Sequence, residues 1–256
     1  MKSLISLIIF SLKENLRTKL YVVLLIFTII LIFIGLLLTG LSGFEQPQRV
    51  LVNTGIAMME LFCLFLILLN SVNLFLQDIE SKSVYLTLSK SISRSKYLVG
   101  KYFGSLLLIL INILIMSIIH ILLIKLSRWK IPENYYFTLF TIFLKTGVVA
   151  SISLLAVTTM TSQATAVITS LLIWIAGHFI SEIIFLAGRI KIMFLQFFLR
   201  ICCYIIPNFQ YFNVKDYFDT HYFVAKFGIV LAIIYWIVYN SVVLILSCVV
   251  FNKKDL

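Results

Sequence analysis

Three ionisable residues sit alone inside otherwise apolar runs: Glu60, Lys145 and Glu182. An isolated charge at membrane depth costs ~2.5–3.5 kcal/mol on insertion scales, so it usually faces a partner or a wet cavity. Counted from the outer ends of their runs, the three lie four, eight and five residues in. At ~1.5 Å per residue these are depths of roughly 6, 12 and 8 Å, so one layer can hold all three. One reading is a polar lining near the exit of a translocation path. The other is that Glu60 and Glu182 snorkel to the outer headgroups while Lys145 pairs with one of them.

Other chemistries are missing their residues. No glycine opens a G-x-x-x-x-G-K-[ST] loop, so the chain has no P-loop of its own and no cofactor site is expected in it. His120, His178 and His221 are far apart in sequence, and no Cys/His cluster or H-E-x-x-H is present. Neither metal nor catalytic residues are expected. Cys63 and Cys248 fall in apolar runs and read as small core residues; Cys202 and Cys203 are adjacent, a spacing that rarely forms a disulfide and that suits packing better than a redox or copper role.

The elements that must position those charges follow from composition. Of 256 residues, 62% are hydrophobic and only 12% charged. That is the balance of an all-α polytopic membrane protein, one transmembrane domain over 1–256. Six runs are long enough to span ~30 Å of hydrocarbon. They lie near Leu20–Leu38, Ile56–Leu76, Phe103–Ile124, Phe137–Met160, Ala166–Ala187 and Gly228–Phe251. A net charge of +11 would suggest nucleic acid in a soluble chain. Here the basic residues gather at span ends, where they fix topology and meet anionic lipid, and no nucleic acid is expected. Of the 21 Lys and Arg, 11 fall on the side holding both termini and nine on the other; the 77–102 loop alone supplies five. Both termini are therefore expected in the cytoplasm.

Residues 1–19 carry Ile5, Ile8, Ile9, Leu12 and Leu16 on one helical face and Lys2, Ser6, Lys13 and Arg17 on another. This predicts an amphipathic helix in the cytoplasmic interface. Lys13, Glu14 and Arg17 follow the apolar run without a small-residue cleavage site, unlike a signal peptide. Residues 188–227 are too apolar for a free loop, yet Arg200 and Pro207 interrupt them. They predict one or two helices that dip into the outer leaflet and return, then a turn at Pro207-Asn208.

The longest stretch that cannot be embedded is Gln77–Gly104. Asp78 and Glu80 open it; Val84, Leu88 and Ile92 at i, i+4 and i+8 make an apolar stripe; Ser93 and Arg94 follow. A short surface helix with such a stripe suits a partner's pocket, while an ordinary basic cytoplasmic loop would also carry these charges.

Glu80, Leu86, Leu88, Ser89, Lys90, Ile92, Ser93, Arg94, Gly100, Lys101 and Gly104 together resemble the cytoplasmic loop of ABC transporter type-2 permeases. Lys82, Ser83 and Ser91 stand where that pattern has Gly, Thr and Pro. The resemblance extends more loosely over nearly the whole chain. It implies that the loop is a coupling helix docking on a separate ATP-binding ABC subunit, which holds ATP and Mg. It implies that Glu14 and Arg17 help in that contact, with Asp78, Glu80, Val84, Leu88, Ile92, Ser93 and Arg94 forming the dock. It further implies a second permease copy, identical or closely related, a bacterial-type inner (cell) membrane, and export. A non-transporting scaffold or assembly factor with the same fold is the alternative.

Overall fold

The computed structural model describes residues 2–17, 26–34, 37, 47–71, 75, 93–160, 162–189, 192–213 and 222–253. Among the described residues the secondary structure is entirely helical. We name the helices α1 (Lys2–Arg17), α2 (26–34), α3 (Pro47–Leu66, continued by a π turn Ile67–Ser71), α4 (Arg94–Leu126), α5 (Tyr135–Thr159), α6 (Gln163–His178), α7 (Ile180–Arg189), α8 (Met193–Ile205) and α9 (Tyr222–Lys253).

Among the described residues four helical stretches are long and apolar enough to cross a membrane: Gln48–Leu69, Arg94–Leu126, Tyr135–Thr159 and Gly228–Lys253. The bent pair α6 and α7 makes a fifth if it is one span. This is a multi-pass membrane protein. The expected first span, Leu20–Leu38, lies partly outside the described residues; 26–34 within it are helical.

The core is built around α5, whose most apolar window is 83% buried. Its small residues Gly147, Ala150, Ser151, Ser153 and Ala156 let α4 and α9 come close. Its hydroxyls do not go unsatisfied. Thr146 donates to Ile142 O at 2.7 Å, Ser151 to Val148 O at 2.8 Å and Ser153 to Ala150 O at 2.9 Å. Each polar side chain thus closes on its own helix, which keeps the buried face tolerable without water. By contrast the apolar window of α9 is only 17% buried, and Ile234, Ile237, Val238, Ile245 and Val249 are exposed along it.

α4 begins at Arg94, nine residues before the expected start of its span at Phe103. Ser93 is its N-cap: the backbone is extended and the hydroxyl accepts from Lys96 N at 3.4 Å. The helix has 33 residues, about 50 Å at 1.5 Å per residue, so it projects well beyond ~30 Å of hydrocarbon. α1 lies against this projecting end. Leu7 and Ser11 are buried there, while Ile5, Ile9 and Phe10 stay exposed. The packed face therefore only partly overlaps the apolar face expected from periodicity, with Leu12 against Leu66 and Leu108. The reason is on α4, where Gly100 and Gly104 form a groove. A Cβ at Gly100 would lie 3.0 Å from Leu7 Cβ, and one at Gly104 would collide with Ser11 Oγ. Lys101 closes the contact with an ion pair to Glu14 at 2.6 Å.

The predicted span Ala166–Ala187 is not one straight helix. It breaks at Phe179 into α6 and α7, bent by 62°. Nothing in the sequence there is a helix breaker of the Pro type. The break follows from tertiary packing: the segment Pro207–Phe209 presses onto the end of α6, where Gly177 leaves room for Pro207 O and the Phe209 ring. α7 and α8 then pack side by side. At ten and 13 residues they are about 15 and 20 Å long, too short to cross. After α8 the chain turns through Ile206, Pro207 and Asn208 into a 3-10 turn, Phe209–Phe212. Asn208 Oδ1 accepts from Gln210 N at 3.0 Å. α9 pins the turn: Tyr235 OH accepts from Asn208 N at 2.9 Å, and Tyr239 OH donates to Ile205 O at 3.1 Å.

The re-entry expected from the sequence for residues 188–227 has a labelling consequence. Single cysteines at Arg189 and at Asp216, in a background lacking the native four, should both react with an impermeant thiol reagent from the outer side. Reaction of one from outside and the other only from inside would add a crossing and invert everything downstream of it.

Candidate functional site

Glu60 on α3 and Lys145 on α5 meet as an ion pair, Lys145 Nζ to Glu60 Oε1 at 2.5 Å. Both side chains are largely buried. α3 delivers Glu60 because Met59 and Cys63 bury its inner face and leave Glu60 at the edge of the packing. α5 delivers Lys145 from the most buried helix of the protein. Glu182 is not part of this cluster. It sits exposed in the first turn of α7, beyond the bend that swings that helix away.

His178, one helical turn before Glu182, occupies the place instead. Its Nε2 lies 3.6 Å from Glu60 Oε1, a close electrostatic contact rather than a hydrogen bond. Its Nδ1 is 2.8 Å from Trp174 O. A carbonyl only accepts, so Nδ1 carries the proton and Nε2 is the ring atom that faces the carboxylate. Trp174 and Phe209 flank the imidazole, with centroids 4.4 and 5.2 Å away. Lys145 Nζ stands 5.7 Å from the Phe209 ring centroid. Gln210 Nε2 donates to His178 O at 3.3 Å, tying the turn after α8 to the end of α6.

These residues line a cleft of about 360 Å³ together with Ala57, Leu61 and Asn213. Its floor is ionic, its walls are aromatic and aliphatic, and its rim carries amides. Such a cleft can receive a small polar group and shield it from hydrocarbon. A lone histidine in an apolar run was the available sequence signal for His178; its nearness to Glu60 depends on how α6 packs beside α3. Trp174, Phe209 and Gln210 carried no signal for this cleft.

A second polar contact is structural. His120 Nδ1 is 2.9 Å from Tyr135 OH, and its ring fills the space over Gly55, joining α3, α4 and α5.

At the other end of the bundle, three buried rings meet. Phe75, Tyr97 and Phe251 have centroids 5.7 to 6.2 Å apart. They come from the chain after α3, the start of α4 and the end of α9. Arg94 Nη1 donates to Phe251 O and Asn252 O, both at 3.2 Å, where a cation caps the carbonyl end of α9. Both ends of the segment 76–92 are thus held at one aromatic knot. Of the docking residues expected from the sequence, Asp78, Glu80, Val84, Leu88 and Ile92 lie outside the described residues. Ser93 caps α4, Arg94 caps α9, Glu14 pairs with Lys101, and Arg17 ends α1.

On α9, Tyr235, which packs on Phe212, and Phe251 of the knot are 16 residues apart, roughly 24 Å of helix. The cleft and the aromatic knot therefore occupy opposite ends of one bundle. No curated protein matches the chain. A family does: the ABC-2 family transporter protein pattern matches residues 39–256. That match takes in α3 to α9, the cleft and the knot, and it shows that the chain belongs to the ABC-2 family of transporter proteins, as a permease of an ABC transporter.

Proposed function

We propose that this permease is the membrane half of an ATP-driven exporter. Two copies, identical or closely related, stand over two ATPase subunits in the cell membrane, with both termini in the cytoplasm. ATP and Mg bind in the ATPase subunits. α1 lies in the cytoplasmic interface, its exposed Ile5, Ile9 and Phe10 in lipid. The segment 77–92 is the dock.

The observation that carries this reading is the aromatic knot. A segment whose two ends share one anchor moves as a unit, and this anchor also grips α9 through Arg94. Displacement of the dock when ATP closes the ATPase pair would be passed to α4, α9 and, through the Glu14–Lys101 pair, α1. α4 and the core helix α5 then carry it toward the cleft at the far end. The cleft residues Glu60, Lys145 and His178 line the outer part of the path.

Leu88→Asp tests the dock. It sets a charge into a pocket that must be desolvated, costing several kcal/mol if unpaired. The variant should insert in the membrane normally and lose its ATPase subunit on gel filtration. A complex that survives the change intact would place the dock elsewhere.

A further inference from the structure

The cleft at Glu60 has an uneven ionic floor. Glu60 Oε1 is the oxygen that lies nearest both Lys145 Nζ and His178 Nε2. The other carboxylate oxygen, Oε2, makes neither of these contacts. Lys145 has three N–H donors and directs one at Glu60. So one carboxylate oxygen and two ammonium hydrogens remain for a ligand, side by side. The pair itself is electrically neutral.

With Glu60 and Lys145 themselves largely buried, this sets the kind of head group that fits. A purely anionic head meets the Glu60 carboxylate, and a purely cationic head meets Lys145; either leaves one charge uncompensated in a low dielectric. A head bearing one charge of each sign leaves none. Its ammonium can lie on the Glu60 carboxylate beside the aromatic lining of the cleft, Trp174 and Phe209, since aromatic rings favour cations. Its anionic group can take the remaining Lys145 hydrogens. Ala57 and Leu61, which line the cleft, continue on α3 as an exposed apolar stripe through Phe65 and Leu69 at four-residue intervals. A tail leaving the cleft can follow that stripe.

We propose that the cleft binds the zwitterionic head of an amphiphile whose apolar tail lies along Leu61, Phe65 and Leu69. This rests on the transport reading and names the substrate class for it.

The test is titration of the purified permease in nonionic detergent, following the fluorescence of Trp174, with Trp174→Phe to identify that residue's signal. The probes are a short-chain phosphoethanolamine, the phosphoglycerol with the same chains, and glycerophosphoethanolamine, which has the head and no tail. The phosphoethanolamine should give a saturable change at a concentration at least tenfold below the phosphoglycerol, and the change should vanish in Trp174→Phe. The double variant Glu60→Gln with Lys145→Gln stays neutral, should remain folded by thermal unfolding, and should lose the discrimination. Equal response to both lipids, or discrimination retained in the double variant, overturns the proposal. Binding of glycerophosphoethanolamine as tight as that of the lipid overturns the assignment to an amphiphile. None of these results depends on the ATPase. An unselective wild-type permease beside an intact ATPase complex would sink this inference alone, whereas absence of that complex would sink the transport reading.

Discussion

Lys145→Met should destabilise the protein by about 3–5 kcal/mol, the usual cost of removing one partner from a buried pair and leaving the other charged. Lys145 and Glu60 are both largely buried, and Nζ reaches Oε1 at 2.5 Å. Without it Glu60 keeps only the 3.6 Å contact to His178. Lys145→Glu should be worse, because it adds a second carboxylate at the same point. Restoring neutrality restores stability: Lys145→Met combined with Glu60→Gln should unfold close to the wild-type temperature in detergent. Glu182→Gln should change nothing, since that carboxylate is exposed on α7. If Glu60→Gln alone were silent in stability and in substrate-stimulated ATP hydrolysis, the acid would be snorkelling rather than holding Lys145. That result would remove the cleft from the translocation path.

The second large effect belongs to the seat of α1. Gly104→Ala should detach this helix from α4. In an exposed helix the change would gain up to ~1 kcal/mol of helix propensity. Here the new methyl would collide with Ser11 Oγ and lie 2.6 Å from Ser11 Cβ, which is no flexible chain end. Overpacking of this kind costs typically about 1–3 kcal/mol, enough to outweigh the propensity gain. Ser11→Gly removes both obstructing atoms, so the double variant should recover most of the loss. Protease sensitivity of α1 and ATP hydrolysis by the reconstituted complex are the readouts. A Gly104→Ala protein with α1 still protected would mean that the groove is not what holds it.

The spans were legible because hydropathy integrates over many residues. α3, α4, α5 and α9 each overlap an expected run. Their ends were less legible. α4 starts at Arg94 because Ser93 caps it, and the segment from Arg94 to Tyr102 is helical without being apolar enough to look embedded. In α1 the periodicity marks an apolar face, but the buried face, Leu7 and Ser11, is chosen by two glycines about 90 residues away. No property of α1 alone encodes that choice.

The candidate site divides the same way. Glu60 and Lys145 are visible as lone charges at similar depth, and the fold pairs them. Glu182 has the same sequence signal but lies past the bend at Phe179, which packing of Pro207 and Phe209 on Gly177 imposes. His178 enters the site for the converse reason, since it ends the straight part of the helix and faces inward. The motif Gly100, Lys101 and Gly104 was legible as a pattern and assigned by resemblance to the loop. In the fold these three residues seat α1.

The measurement that bears most directly on the account is ATP hydrolysis in proteoliposomes. The permease would be reconstituted alone, with a separately purified P-loop ATPase encoded beside it, and as Leu88→Asp with the same ATPase. The account predicts no hydrolysis from the permease alone, a stable complex whose turnover rises with substrate, and a return to the rate of the free ATPase in Leu88→Asp. Turnover by the permease alone, or substrate stimulation that survives Leu88→Asp, would contradict it.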